Sequence, residues 1–128
     1  MIMKNVGLFV RDLEGARKFF EDYFGMQIHA VWNEEEKGYY SYIMKFNDDP
    51  TVARIEIMTK PEIVDLPKNC NRTGWAHICV KVDSREQFEE INRKCHQAGY
   101  QILYEPATVG GKEMRAIMLE DNVIEVLY

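Results

Sequence analysis

Four residues in this sequence are of types that bind divalent metals, and they occupy positions that repeat along the chain. Asn5 and His77 each lie in the first predicted strand of a repeat, whereas Glu56 and Glu125 each lie between two aliphatic residues in a later strand. A carboxylate buried in an apolar strand needs a cation or hydrogen-bond donors to compensate for its lost hydration. Two carboxylates, an imidazole and an amide that meet in one cavity form a donor set for a divalent metal ion. The sequence therefore predicts a metal site built from these four residues.

The elements that position these residues form one unit that occurs twice: a strand, a helix and three further strands. Residues 5–10 align with residues 77–82, and residues 54–58 align with residues 123–127. An internal repeat of this kind is a stronger indicator of the fold than any single element.

We expect a single domain over residues 1–128, with module one at 1–60, a linker at 61–73 and module two at 74–128. In module one, a strand from Met3 is followed by a helix capped by Asp12, which ends at Gly25, and by strands at 26–33, 38–47 and 52–60. In module two, the corresponding elements are a strand at 76–82, a helix from Ser84 to Gly99, and strands at 100–106, 113–119 and 123–128.

Alternation along the first strand separates two faces. Val6, Leu8 and Val10 share an apolar face that can pack under a helix, and the opposite face carries Asn5 and Phe9. The face with Asn5, like the equivalent face with His77, is therefore expected to line whatever the curved sheets enclose.

The bulk composition excludes several classes of protein. The 128 residues are 46% hydrophobic and 29% charged, with a formal net charge of −5 and no basic patch, which argues against a nucleic-acid partner. No apolar run is long enough to span a membrane, so we expect a soluble, cytoplasmic protein. The three cysteines, Cys70, Cys79 and Cys95, form no CxxC pair and are expected to be free thiols.

Several segments resemble domains of the glyoxalase I / bleomycin-resistance / extradiol dioxygenase (vicinal oxygen chelate) superfamily. They are residues 6–14, 19–20, 24–26, 74–83 and 122–126. The resemblance implies an α+β fold in which paired βαβββ modules form a curved, barrel-like mixed sheet around a central cavity. It also implies a homodimer.

The resemblance assigns roles to the same four residues. Family members that bind metal carry ligands on the first and last strands of each repeat, which here are Asn5, Glu56, His77 and Glu125. Asn5 replaces the usual histidine, which implies a weaker ligand at that position. The cofactor implied is a divalent ion, namely Ni, Zn, Co, Mn or Fe.

By resemblance, the expected activity is that of a metal-dependent lyase or isomerase acting on an adduct of a 2-oxoaldehyde and a thiol. Glu125 is then the mobile base and Glu56 the opposing carboxylate. A single histidine among the four disfavours oxygenase chemistry, which needs two imidazoles and a carboxylate. Substrate contacts are expected from the four residues Arg54, Phe9, Trp32 and Tyr42.

Two further interpretations remain open. One is a non-catalytic protein that binds a drug or metabolite in an aromatic groove, since aromatic rings stack on planar ligands. The candidate groove residues are Trp32, Tyr39, Tyr40, Tyr42 and Trp75. The other is a domain with a structural role only, in which these rings belong to ordinary core or dimer packing.

Overall fold

The computed structural model describes residues 1–65, 73–109 and 112–128, and between residues 104 and 109 it describes the backbone alone. The chain folds as two compact units, Met1–Val64 and Asp65–Tyr128. The elements of the first unit are β1 (Asn5–Phe9), α1 (Leu13–Phe24), β2 (Gln27–Glu34), a 3-10 helix (Glu35–Lys37), β3 (Tyr39–Lys45) and β4 (Arg54–Thr59). Those of the second unit are β5 (Ile78–Lys81), α2 (Arg85–Gln97), β6 (Ile102–Val109), β7 (Lys112–Leu119) and β8 (Asn122–Leu127).

The first unit is a four-stranded mixed sheet with one helix. Its strand order is β1-β4-β3-β2, in which β1 and β4 are parallel and the other neighbours are antiparallel. Helix α1 begins where predicted, because the Asp12 carboxylate accepts the Gly15 backbone N–H at 2.8 Å. It ends at Gly25, whose φ of 67° is the left-handed conformation that glycine adopts at low cost.

The core of the first unit lies between α1 and one face of the sheet. Phe19 and Phe20 of the helix are fully buried, as are Met44 and Ile57 of the strands beneath. Complete burial of one such side chain contributes roughly 1.5 to 3 kcal/mol to folding. The opposite face of the sheet takes no part in this packing and carries the polar residues described below.

The second unit repeats this topology, with the strand order β5-β8-β7-β6 and a parallel pair formed by β5 and β8. At the start of α2, the Ser84 hydroxyl accepts the Gln87 backbone N–H, and the Gln87 side-chain oxygen accepts the Asp83 backbone N–H, each at 3.1 Å. The fully buried residues include Phe88 and Cys95 of the helix and Ile117, Ile124 and Val126 of the strands.

The predicted α+β class and the repeated βαβββ order are confirmed by these elements. One difference is local. His77 precedes β5 instead of lying within it. No helix in the described ranges is long and apolar enough to cross a membrane. Cys70, which is expected from the sequence to be a free thiol, lies outside the described residues.

Candidate functional site

Strands β1 and β4 bring Asn5 and Glu56 together. In the parallel register Asn5 lies opposite Arg54 and Gly7 lies opposite Glu56, so Asn5 and Glu56 are diagonal neighbours on one face. The Asn5 side-chain amide donates a hydrogen bond to Glu56 Oε2 at 2.8 Å. Two of the four predicted metal ligands, Asn5 and Glu56, are therefore in contact within a single sheet.

Tyr39, at the start of β3, is a second partner of Glu56. Its hydroxyl donates to Glu56 Oε1 at 3.1 Å, so each carboxylate oxygen accepts a hydrogen bond from a neutral donor. Burial, together with the Glu56 charge, raises the pKa of Tyr39 above its ordinary value, so the hydroxyl remains a donor at neutral pH. The sequence pattern indicates Tyr39 as an aromatic candidate only. Its position on the β3 face shared with Ser41 and Ile43 is the signal that would have placed it beside Glu56.

The second unit pairs a different nitrogen group with its glutamate. His77 Nε2 lies 3.3 Å from Glu125 Oε2, and the two side chains are 46% and 12% exposed respectively. The strand register places Cys79 opposite Glu125, which puts Cys79 at the position that Gly7 occupies in the first unit. Burial and the Glu125 charge raise the pKa of the Cys79 thiol.

The His77–Glu125 pair fits a divalent ion. Two ligand atoms that bind one ion at about 2.1 Å in tetrahedral or octahedral geometry lie about 3.0 to 3.4 Å apart, which matches this pair. The imidazole nitrogen and the carboxylate oxygen are also ordinary ligands of such ions. No group of three or more His, Cys, Asp or Glu side chains with metal-site geometry occurs in the described part of the chain.

The Asn5–Glu56 pair fits such an ion after one local change. The Asn5 amide has its nitrogen toward Glu56, and rotating the amide by half a turn would present its oxygen instead. An amide oxygen is a weaker ligand than an imidazole for borderline metals, so this pair is the weaker candidate of the two.

Three of the four predicted substrate-binding residues share the Glu56 face of the first sheet. Arg54 lies two residues before Glu56 on β4, Phe9 lies on β1, and Trp32 lies opposite Ser41 on β2. Phe9 and Trp32 are 46% and 60% exposed. Tyr42 lies on the opposite face.

The Tyr42 hydroxyl donates to Glu14 Oε1 of α1 at 2.6 Å. Tyr42 is thus placed apart from Arg54, Phe9 and Trp32. Strand alternation also places Tyr40 on the helix side, whereas Trp75, in the second unit, is 79% exposed. The five aromatic candidates therefore do not line one common face.

Arg115 of β7 is a buried arginine. It is buried against α2, with its guanidinium 4.6 Å from the Phe88 ring centroid and 3.2 Å from a Glu89 carboxylate oxygen. His29 and His96 are exposed. A depression of about 500 Å³ along α2, lined by polar residues that include Asn92, contains none of the predicted site residues.

The sequence matches the model of the Glyoxalase/Bleomycin resistance protein/Dioxygenase superfamily over residues 2–123. The chain therefore belongs to this superfamily, and the resemblance noted from its sequence is confirmed. No curated protein matches the sequence.

Solved structures show the same fold at low sequence identity. The trypanothione-dependent glyoxalase I of Leishmania major is 19% identical with a TM-score of 0.78, over 99% of this chain and 86% of that one. A glyoxalase family protein from Bacillus cereus is 20% identical with a TM-score of 0.78, over 99% and 93%. A mutant glyoxalase I from Zea mays is 20% identical with a TM-score of 0.76 over 97% of this chain, which spans only 44% of the maize chain.

Proposed function

We propose that this protein is a divalent-metal-dependent lyase or isomerase of the glyoxalase I type, which acts on an adduct of a small 2-oxoaldehyde with a thiol or on a related substrate. The observation that carries the proposal is the position of Glu56 and Glu125. Each lies on the last strand of its βαβββ unit and contacts a nitrogen-bearing side chain from the start of that unit. Superfamily membership and the likeness in fold to glyoxalase I structures support this assignment.

The metal ligands in this proposal are His77 and Glu125, with Glu56 as a further carboxylate and Asn5 as a weak ligand or hydrogen-bond donor. The ion is one of Ni, Zn, Co, Mn and Fe, all of which accept mixed nitrogen and oxygen ligands. His77 is the fixed member, since the strand that follows it anchors its backbone. The bound ion would polarise a substrate carbonyl and stabilise negative charge that develops beside it.

Glu125 is the proposed base. Its carboxylate would remove a proton from the carbon next to the carbonyl and return it to the neighbouring carbon, which isomerises the adduct without any net oxidation. Because Glu125 is almost buried, its charge is poorly screened by water and acts strongly at short range. Glu56 accepts hydrogen bonds from Asn5 and Tyr39. Its carboxylate would help to orient the substrate.

The test is a metal titration followed by turnover. Chelator-treated protein is loaded with each candidate ion in turn, and isomerisation of the adduct of methylglyoxal with several small thiols is followed by absorbance. We expect stoichiometric binding of at least one ion, activity that depends on it, and loss of activity in Glu125→Gln. The matched control is Glu36→Gln, which changes an exposed carboxylate of the 3-10 helix. Protein that binds no ion and converts no adduct would refute the proposal.

A second candidate function is non-catalytic binding of a small molecule. It is favoured by one observation, which is that Asn5 and Tyr39 each donate a hydrogen bond to one oxygen of Glu56. The exposed rings of Phe9 and Trp32 on the same face would hold a flat ligand. Quenching of tryptophan fluorescence by planar ligands, in protein without metal or turnover, would favour this alternative.

We also propose that the 128 residues act as one domain and that two copies form a homodimer. Both proposals follow from the family likeness, since members of this size commonly pair. Analytical ultracentrifugation of the purified protein tests the second, and a concentration-independent monomer would refute it.

A further inference from the structure

Side chains on the Glu56 face of the first sheet form cross-strand rows whose chemical character changes along the strands. Neighbouring rows lie two residues apart, which is about 6.6 Å along a strand. The rows, in order, are Asn5–Arg54, then Gly7–Glu56–Ile43–Ala30, then Phe9–Met58–Ser41–Trp32. Lys45, two residues beyond Ile43 on β3, lies on the same strand face and extends the first row. A cationic row and an aromatic row therefore lie on either side of Glu56, about 13 Å apart.

Arg54 adds a second positive charge to the first row. After Lys45, this charge also acts on the Asp48 carboxylate, but no salt bridge between Arg54 and Asp48 is formed. Lys45 of that row is bound by the Asp48 carboxylate, and the oxygens of Glu56 are taken by Asn5 and Tyr39. Within the described part of the chain, no carboxylate forms an ion pair with the half-buried Arg54. A guanidinium in this position can bind an external carboxylate through two parallel hydrogen bonds.

The third row supplies an accessible aromatic surface. Trp32 and Phe9 are among the large apolar side chains that the fold leaves exposed. The Lys60 ammonium lies 5.1 Å from the Phe9 ring centroid and covers one face of that ring. The buried Ser41 separates Trp32 from Met58 in the row and adds little bulk there.

We propose that this face selects small molecules with a carboxylate at one end and an apolar, planar group at the other. Arg54 binds the carboxylate, Trp32 and Phe9 contact the apolar group, and the middle of the ligand lies beside Glu56. If the proposed isomerase function holds, the substrate is then an adduct whose thiol carries a carboxylate. The binding preference itself requires neither metal nor turnover.

The probes are ω-phenylalkanoates of increasing chain length and their uncharged primary amides. Their binding to chelator-treated protein is measured by titration calorimetry and tryptophan fluorescence. We expect the acid of the best length to bind tenfold or more tightly than its amide, because a charge-assisted bidentate pair is lost in the amide. Shorter and longer acids should bind more weakly, since the two rows are a fixed distance apart.

Two variants test the residues. Arg54→Gln should remove the preference for acid over amide while amide affinity stays unchanged, which also shows that the variant is folded. Arg93→Gln, which removes a guanidinium from the exposed surface of α2, should retain the full preference. Trp32→Leu should weaken the binding of the phenylalkanoates and of their amides alike, so that the ratio of acid affinity to amide affinity stays the same.

The outcomes separate this inference from the proposed function. Equal affinity for acid and amide, or a preference that survives Arg54→Gln, overturns the inference even if the protein is an active isomerase. If the preference for the acid depends on Arg54, the inference is supported. If the same protein also binds no metal and converts no adduct, the isomerase proposal is refuted.

Discussion

Glu56 and Glu125 occupy equivalent strands of the two units, but their partners differ in chemistry. Glu56 accepts hydrogen bonds from an amide and a phenol, both neutral, at 2.8 and 3.1 Å. Glu125 lies 3.3 Å from an imidazole that can ligate an ion or carry a proton. The same topology thus presents one carboxylate that accepts from two neutral donors and one that lies beside an imidazole. A repeated backbone fixes where a side chain lies, and the residue at the start of each unit decides what that carboxylate can do.

The largest expected effect comes from removing the carboxylate charge of the second unit. Glu125→Gln should lower kcat/KM for adduct isomerisation by about a hundredfold or more, because general bases contribute about 10²- to 10⁴-fold. Glu56→Gln should cost less, since the new side-chain amide would still offer an oxygen to Asn5 or Tyr39. Steady-state kinetics of the two variants at equal metal loading compares the units directly. Equal losses would mean that the two carboxylates share one role.

The second effect concerns metal affinity. His77→Gln should weaken binding of Zn or Ni by tenfold or more, because an imidazole ligand is replaced by a weaker amide. Competition with a chromophoric chelator measures the change. His96→Gln is the control, since it replaces an exposed imidazole on α2 of the same unit. If both substitutions changed the affinity alike, His77 would have no special position as a ligand.

The third effect should have the opposite sign. Asn5→His places an imidazole beside Glu56, so that the first unit acquires the donor pair of the second. We expect metal affinity to rise by roughly tenfold in the same competition assay, because imidazole binds borderline ions more strongly than an amide oxygen does. If neither the natural protein nor Asn5→His bound metal, the proposal of a catalytic metal would lose its support.

The smallest effect is on stability, at the helix side of the first sheet. The Tyr42 hydroxyl, followed by Arg17, lowers the pKa of Glu14 below its usual 4.5. This bond therefore stabilises the fold above that pH, and its contribution is lost as the pH falls through the folded-state pKa of Glu14. Tyr42→Phe should cost about 1 kcal/mol or less at neutral pH, because Glu14 is exposed.

Urea unfolding at several pH values checks this prediction, and the deficit of Tyr42→Phe should shrink in acid. Tyr40→Phe is the matched control, since it removes a hydroxyl from the same face of β3 without touching Glu14. A deficit that is equally large at every pH would show that the Glu14 contact is not its source.

Local chemistry made much of the fold predictable. Asp12 and Ser84 begin the helices as expected because their side chains accept nearby backbone N–H groups, and Gly25 ends α1 because it tolerates a positive φ. Alternation along the strands separated the helix-packed face from the polar face. The Asn5–Glu56 pair could be anticipated because the repeat fixed the relation between first and last strands. The roles assigned to that pair and to His77–Glu125 stay predictions.

Other features could not be anticipated from local patterns. The hydrogen bond from Tyr39 to Glu56 joins residues of different strands, and it depends on the register of β3 against β4. Tyr42 was expected to contact substrate, yet its hydroxyl binds Glu14, a contact that depends on how α1 packs against the sheet. Arg115 packs on Phe88 of α2, a contact between residues far apart in the sequence.

The sequence by itself determined the two βαβββ units, the ends of their helices and the pairing of an early strand residue with a late glutamate. These follow from periodicity, capping and repetition, which act over short distances or recur along the chain. Only the tertiary structure decided which donors satisfy Glu56, which aromatic residues share its face, and where the charges of Arg54 and Arg115 lie. Those outcomes depend on cross-strand register and on helix packing against the sheet, which bring together residues that are distant in sequence.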